Sequence, residues 1–212
     1  MEAFEAVRTL LAVRRYLDRP VPETIVRKIV EAGRLTGSAM NLQPWHFIVI
    51  QDRETLRRLG ALARSGPYIA EAPLAIVVAV EKTGYAVSDA SRAIHSMLLV
   101  AWSEGVGSNW VGFGGLAKVN ALLKIPAGLD TLAILPFGYP ADKIGRGKKN
   151  RKPLRAIAHR ERYGQPFEQS LCTRPWRGGS PSSSRRRKWG RKARTSQLLS
   201  MRQRPRRNWT AW

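Results

Sequence analysis

Residues 38–45 read Ser38-Ala39-Met40-Asn41-Leu42-Gln43-Pro44-Trp45. The stretch follows an amphipathic run at 23–35 and precedes the apolar run His46-Phe47-Ile48-Val49-Ile50. Small and amide residues therefore occupy a helix-to-strand junction. A junction of this kind presents backbone N–H groups and amide side chains to a flat polar ligand, and loops held by rigid elements commonly carry function.

Outward from this junction, apolar residues recur at helical spacing in three places. Ala3, Phe4, Val7 and Leu10/Leu11 predict a first helix ending near Arg14. Ile25/Val26, Ile29/Val30 and Ala32 predict a second, with Pro22 suited to its first turn. Ile94, Met97/Leu98 and Ala101/Trp102 predict a long third helix over 88–104, closed by Gly105, and a shorter one spans 54–63. Strands are expected at 46–50, 74–80, 110–113 and 131–137; each is short and apolar, as in a sheet covered by helices on both faces. Gly138-Tyr139-Pro140 reads as a turn, followed by an extended basic arm over 141–164. This alternation favours a layered α/β or α+β fold over a bundle. No internal repeat is visible. Gly105-Val106-Gly107 lacks the third glycine of a dinucleotide fingerprint and follows a helix rather than a strand.

The chain has 212 residues, 43% of them hydrophobic, enough for one packed domain with an appendage. Its single cysteine, Cys172, excludes an internal disulfide and a cysteine-based metal cluster, which fits a reducing compartment. The acidic start Met1-Glu2-Ala3-Phe4-Glu5 has no basic region leading into an apolar core, so no signal peptide is expected. The longest apolar run, 74–80, falls far short of the ~20 residues that span a bilayer, and a cytoplasmic protein without membrane contact is expected. The formal charge of +22 is uneven: from Phe167 onward there are thirteen Lys and Arg against one acid, Glu168, a net of +12.

Five landmarks in order carry a family resemblance. They are Val13-Arg14-Arg15-Tyr16-Leu17-Asp18-Arg19-Pro20-Val21-Pro22, then 38–45, then Gly105-Val106-Gly107-Ser108-Asn109-Trp110-Val111-Gly112-Phe113. Leu135-Pro136-Phe137-Gly138-Tyr139-Pro140 and Lys149-Asn150-Arg151-Lys152-Pro153-Leu154 complete the set. From about Phe4 to Gly164 the chain resembles the nitroreductase family of flavin-dependent oxidoreductases. The resemblance implies an α+β, three-layer fold with a central mixed or antiparallel sheet flanked by helices. It also implies a domain-swapped homodimer with one FMN per subunit at the interface and NAD(P)H as co-substrate. The expected domain covers 1–166 and includes the C-terminal arm.

FMN needs cations for its phosphate, amide-type partners for its pyrimidine edge and an apolar wall for its ring. Lys149 and Arg151, two apart on an extended segment, share a face and can clamp a phosphate; by residue type alone they equally suit a solvated basic arm. Asn41 and Gln43 donate and accept, toward a ligand or toward their own loop backbone. By the resemblance, Arg14 lies near the ribityl chain and pyrimidine edge, and Ser38 and Ala39 approach the ring from the neighbouring subunit. Val111 and Gly112 bring main-chain groups to its N5 edge, though Gly112 also suits a plain turn. Trp45 is expected to be a core or interface aromatic. His46 and His95 are expected to be structural, His159 is uninformative, and neither a catalytic side chain nor a metal ligand is assigned.

One departure stands out. Leu10-Leu11-Ala12 occupy the three positions where the family carries Arg-Arg-Ser. Losing a charged phosphate contact costs ~1.5–3 kcal/mol, or ~10- to 150-fold in affinity. FMN binding weakened rather than abolished is therefore expected. Beyond Pro166, the stretch Gly178-Gly179-Ser180-Pro181-Ser182-Ser183-Ser184 and the block Arg185-Arg186-Arg187-Lys188 predict a disordered Arg-rich tail over 167–212. As a hypothesis, that tail comes from out-of-frame translation; in-frame tail peptides recovered from native cells would overturn it.

The leading expectation is an enzyme passing electrons from NAD(P)H to nitroaromatic, quinone or related organic acceptors by a ping-pong mechanism. A competing one is a flavin-weak or flavin-free relative whose tail, with Trp176, Trp189, Trp209 and Trp212 among its arginines, binds polyanions; nucleic acid is expected there only nonspecifically. A specialised flavin reaction such as dehalogenation or ring fragmentation is a third.

Overall fold

The computed structural model describes residues 1–112, 116–144 and 149–167. They fall in two units, Met1–Lys149 and Asn150–Ala211. In chain order the first unit contains α1 (Ala3–Thr9), α2 (Glu23–Arg34), β1 (Trp45–Ile50), α3 (Arg53–Leu62), β2 (Leu74–Glu81), α4 (Ala86–Ser103), β3 (Gly107–Ser108), α5 (Ala117–Leu123) and β4 (Leu129–Gly138). The sheet order is β1-β2-β4-β3, and all three ladders are antiparallel.

Strand β2 shows why the layers form. Its apolar run buries both faces, since successive side chains of a strand point to opposite sides. Leu74, Ile76, Val78 and Val80 join Val26 and Ile29 of α2 and Ala90, Ile94 and Met97 of α4 in one core. Ala75 and Val77 face the other way, onto Leu56 and Leu59 of α3 and Val119 of α5. Each fully buried Val, Leu or Ile contributes roughly 1.5–3 kcal/mol of transfer free energy. The result is an α+β unit of three layers, with α2 and α4 on one face of the sheet and α3 and α5 on the other, as expected.

Local chemistry sets the ends of the elements. The Asp52 carboxylate caps α3 by accepting from the Thr55 N–H (2.8 Å) and the Thr55 hydroxyl (2.7 Å). Gly105, at φ +76°, ends the turn after α4 in the left-handed region that glycine adopts without cost.

Three expectations need correction, and one helix was missed. Helix α1 stops at Thr9 rather than near Arg14, because the edge strand β3 captures the chain: Ala12 bridges Ser108 in parallel, and the Val13 N–H donates to the Ser108 carbonyl at 2.9 Å. The strand expected over 110–113 is replaced by β3 at Gly107–Ser108 and one bridge from Val111 to Ile134. Opposite Asn109 stands Pro136, which has no N–H to continue the ladder; Phe113 lies outside the described residues. Residues 138–140 do not turn away. The Leu17 N–H donates to the Tyr139 carbonyl (2.8 Å) and the Ala141 N–H to the Arg15 carbonyl (3.1 Å), so the sheet edge continues against 15–17. Helix α5 was not foreseen, although Leu116, Val119 and Leu122/Leu123 carry its period.

In the second unit the described residues, 150–167, form a 3-10 turn at Leu154–Ala156 and a bridge between His159 and Pro166. The His159 and Tyr163 rings lie 4.4 Å apart, and the Arg160 guanidinium sits 5.6 Å over Phe167. The expected tail lies, from 168 on, outside the described residues, as do 145–148 of the basic arm. Among the described residues no helix is long and apolar enough to cross a membrane, and no group of His, Cys, Asp and Glu could hold a metal ion.

Candidate functional site

The predicted residues of the first unit gather in two places. The first is the sheet edge. Residues 12–17 lie along the sheet edge, bridging Ser108 of β3 at Ala12 and Pro140 at Tyr16, with Val13 buried and Arg14 exposed. The strap is fixed from below by Tyr16, whose hydroxyl donates to the Val13 carbonyl at 2.6 Å. Burial raises the Tyr16 phenol above its usual range, nearby Tyr68 adds to the rise, and Arg14 opposes it. Tyr16 is thus a neutral structural donor. Arg14 lines a cleft of about 170 Å³ with Leu11, Ala12, Arg15, Asp142 and Ile144. Arg15, not Arg14, pairs with Asp142 (3.0 Å), which leaves the Arg14 guanidinium without a hydrogen-bond or ion-pair partner among the described residues.

Val111 belongs to this edge, but as core: it is 1% exposed and exchanges hydrogen bonds with Ile134 at 3.0 and 2.8 Å. Its main-chain groups are committed to the sheet. Gly112 follows at the rim, and its N–H has no acceptor among the described residues. A Cβ there would stand 2.6 Å from the Trp110 indole nitrogen and 3.1 Å from the Leu132 carbonyl, so glycine is the residue that fits this rim without displacing a neighbour. Beneath the edge, Asn109 donates its side-chain amide to the Tyr68 hydroxyl. The Ser108 hydroxyl, 2% exposed, has no partner among the described residues.

The second place is the junction at 38–43. Ser38 accepts the Gln43 N–H on its hydroxyl at 2.9 Å, and the Gln43 side chain donates to the Asn41 carbonyl at 3.2 Å. Met40, Asn41 and Gln43 all have left-handed backbone, at φ 51°, 55° and 50°. Asn tolerates this region; Met and Gln do not favour it. The Ala39 N–H donates to Asp89 Oδ2 at 3.1 Å. Sequence reasoning missed Asp89. Its signal was a lone carboxylate within the small and apolar stripe Ala86, Ala90, Ala93 and Met97 of α4.

Lys149 and Arg151 each make a hydrogen bond within their own unit. The Lys149 ammonium donates to the Val7 carbonyl at 2.6 Å, capping α1 near the cleft-lining segment 11–15. Arg151 is in the second unit, where its guanidinium donates to the Asn150 carbonyl at 3.0 Å. Leu10 and Leu11 are half-buried and Ala12 is exposed, so no cation stands at these three positions. Trp45 is a core aromatic as expected, 7% exposed and stacked 6.3 Å from Phe47. His46 does meet an acid: its Nε2 lies 3.6 Å from Glu81 across the β1–β2 ladder, a diagonal contact hidden in the linear sequence.

The match to known proteins decides the family. The nitroreductase family model matches residues 11–83 and 63–139, which together span this entire sheet and both places. The chain belongs to the nitroreductase family. A Methanothermobacter thermautotrophicus protein bearing the name NADH dehydrogenase/NAD(P)H nitroreductase is 35% identical over 154 residues, covering 68% of this chain and 81% of its own. A crystal structure under the same name from Parabacteroides distasonis has a TM-score of 0.70 at 29% identity, with 74% and 96% covered. An FMN-dependent nitroreductase from Clostridium difficile has a TM-score of 0.71 at 25% identity, with 76% and 99% covered. The nitroreductase likeness thus takes in nearly the whole of both solved chains.

Proposed function

We propose that this nitroreductase-family chain is an NAD(P)H-dependent flavin oxidoreductase that holds FMN in a slot shared by two copies. Electrons would pass to nitroaromatic, quinone or related organic acceptors. One observation carries the reading: at the sheet edge, the Arg14 guanidinium and the Gly112 N–H, both without a partner among the described residues, lie on two segments joined by the Val13–Ser108 hydrogen bond. This donor set suits the electron-rich edge of an isoalloxazine. When bound, FMN supplies the two-electron chemistry, taking electrons from NAD(P)H and giving them up to the acceptor in two separate half-reactions.

The protein's part is to bind and orient. With FMN bound, Arg14 would face the pyrimidine edge and ribityl chain, and the Gly112 main chain would face the N5 edge. Lys149 and, by the family resemblance, Arg151 would neutralise the phosphate. Ser38, Ala39, Asn41 and Gln43 would close the slot from the neighbouring copy, which would make the site incomplete in a single chain. No side-chain acid or base is required, because placing donor and acceptor in one stacked space lowers the barrier by orientation. The cation-free positions at Leu10, Leu11 and Ala12 make the phosphate end the weaker half of the site.

The test is an absorption spectrum of the freshly purified full chain with FMN titration, followed by NADPH and NADH oxidation with a quinone acceptor. A yellow protein whose bound flavin is bleached by either nucleotide and recoloured by the quinone is expected. A chain that takes up no FMN at 100 μM, on the order of a thousandfold above a 0.1 μM Kd, overturns the proposal.

A further inference from the structure

We propose that Asp89 is a positioning residue for the flavin: by holding the Ala39 amide, its carboxylate fixes residues 38–43 in the shape that meets the ring. The inference rests on the flavin reading above.

Asp89 is 0% exposed, in the first turn of α4. A buried carboxylate is costly unless paired and hydrogen-bonded. Asp89 has both compensations. One oxygen meets the guanidinium of Arg92, one turn along the helix and 57% exposed, and the other accepts the Ala39 N–H. Packing alone would be met by another small apolar residue, as at Ala86, Ala90 and Ala93 on the same stripe. The carboxylate is therefore present for what it holds.

What it holds needs holding. Within 38–43, three residues other than glycine have left-handed backbone. Such residues persist only where surrounding structure over-determines them. The junction's other hydrogen bonds are internal: Asn41 N–H to Ser38 carbonyl, Leu42 N–H to Ala39 carbonyl, Gln43 N–H to Ser38 hydroxyl and the Gln43 side chain to Asn41 carbonyl. Among the described residues, the bond from Ala39 to Asp89 is the one that ties the junction to another element. A second polar contact of α4 lies just upstream, where the Ser96 and Thr36 hydroxyls are 2.9 Å apart. Asp89, Arg92 and Ser96 thus form a polar seam at helical spacing that ends on the junction. The expected flavin partners Ser38, Ala39, Asn41 and Gln43 all belong to the piece that the seam anchors.

The decisive experiment compares full-length wild type, Asp89→Ala and Asp89→Asn. It reads FMN affinity by flavin fluorescence quenching, the shape of the bound flavin's visible bands, and the apo-protein melting temperature. Asparagine keeps an oxygen that can accept the Ala39 N–H; alanine does not. Asp89→Ala is expected to weaken FMN binding ~10-fold, about 1.4 kcal/mol, with altered visible bands, and Asp89→Asn to stay within about threefold of wild type. Asp89→Ala binding FMN as wild type does, or both variants losing affinity equally, overturns the clamp. If Asp89→Ala does not fold, amide exchange on Asp89→Asn decides: a protected Ala39 amide with retained affinity supports the clamp, and a fast-exchanging one with unchanged affinity overturns it. Wild type that fails to bind FMN overturns the flavin reading itself and this inference with it.

Discussion

Arg14 and Leu11 line the same cleft, and on the proposed reading the cation would favour a bound flavin where the leucine would not. Among the described residues Arg14 has no partner to give up, so its bond to a ligand would not be offset by a broken ion pair. Replacing it by alanine should weaken FMN binding by ~10- to 150-fold, the scale of ~1.5–3 kcal/mol for a charged hydrogen bond. Leu11→Arg should tighten binding and steepen its salt dependence; fluorescence titrations at two ionic strengths read both. Tighter Arg14→Ala binding, or a Leu11→Arg variant insensitive to salt, would contradict this account. At this scale, the sequence disclosed residue type but not commitment. Lys149 was legible as a cation, while its bond to the Val7 carbonyl spans 142 residues of chain. Asp89 went unseen because its partner amide lies 50 residues away.

At the scale of elements, the strands β1, β2 and β4 were legible to within about two residues because each is a short, largely apolar run; β2 and the second half of β4 are buried on both faces, while β1 leaves His46 and Val49 exposed. The ends of α1 and the stretch 107–112 were not, since pairing at the sheet edge overrode a helical period. Gly107 makes that pairing possible. A Cβ there would lie 2.5 Å from a Val13 methyl and 2.8 Å from the Val13 Cβ. Gly107→Ala should therefore push the strap at 12–16 off the edge, at ~1–3 kcal/mol by the cost of overpacking, and lower flavin affinity with it. Chemical denaturation and titration of one preparation test the two effects together. Helix α3 offers a pH test. The Thr55 hydroxyl and N–H hold the Asp52 carboxyl below its ordinary range. A depressed folded-state pKa contributes stability that is complete above the unfolded value of about 4 and is lost as pH falls through the folded one. Asp52→Ala should lower the melting temperature at pH 6 and flatten its fall on acidification; parallel curves for the two proteins would refute the cap.

For the whole molecule, charge and catalysis should separate. More than half of the net charge lies in the last 46 residues, outside the matched segments. Removing 167–212 should leave FMN affinity within about twofold and abolish salt-sensitive retention on a polyanion column, since electrostatic binding follows the number of cations. Loss of flavin binding on truncation would place the tail in the slot instead. The ammonium of Lys149 cannot serve two masters at once. It holds the Val7 carbonyl in the last turn of α1, and a phosphate would draw it away. Cofactor loading would then loosen the first helix, and deuterium uptake at residues 9–11 should rise, not fall, when flavin enters.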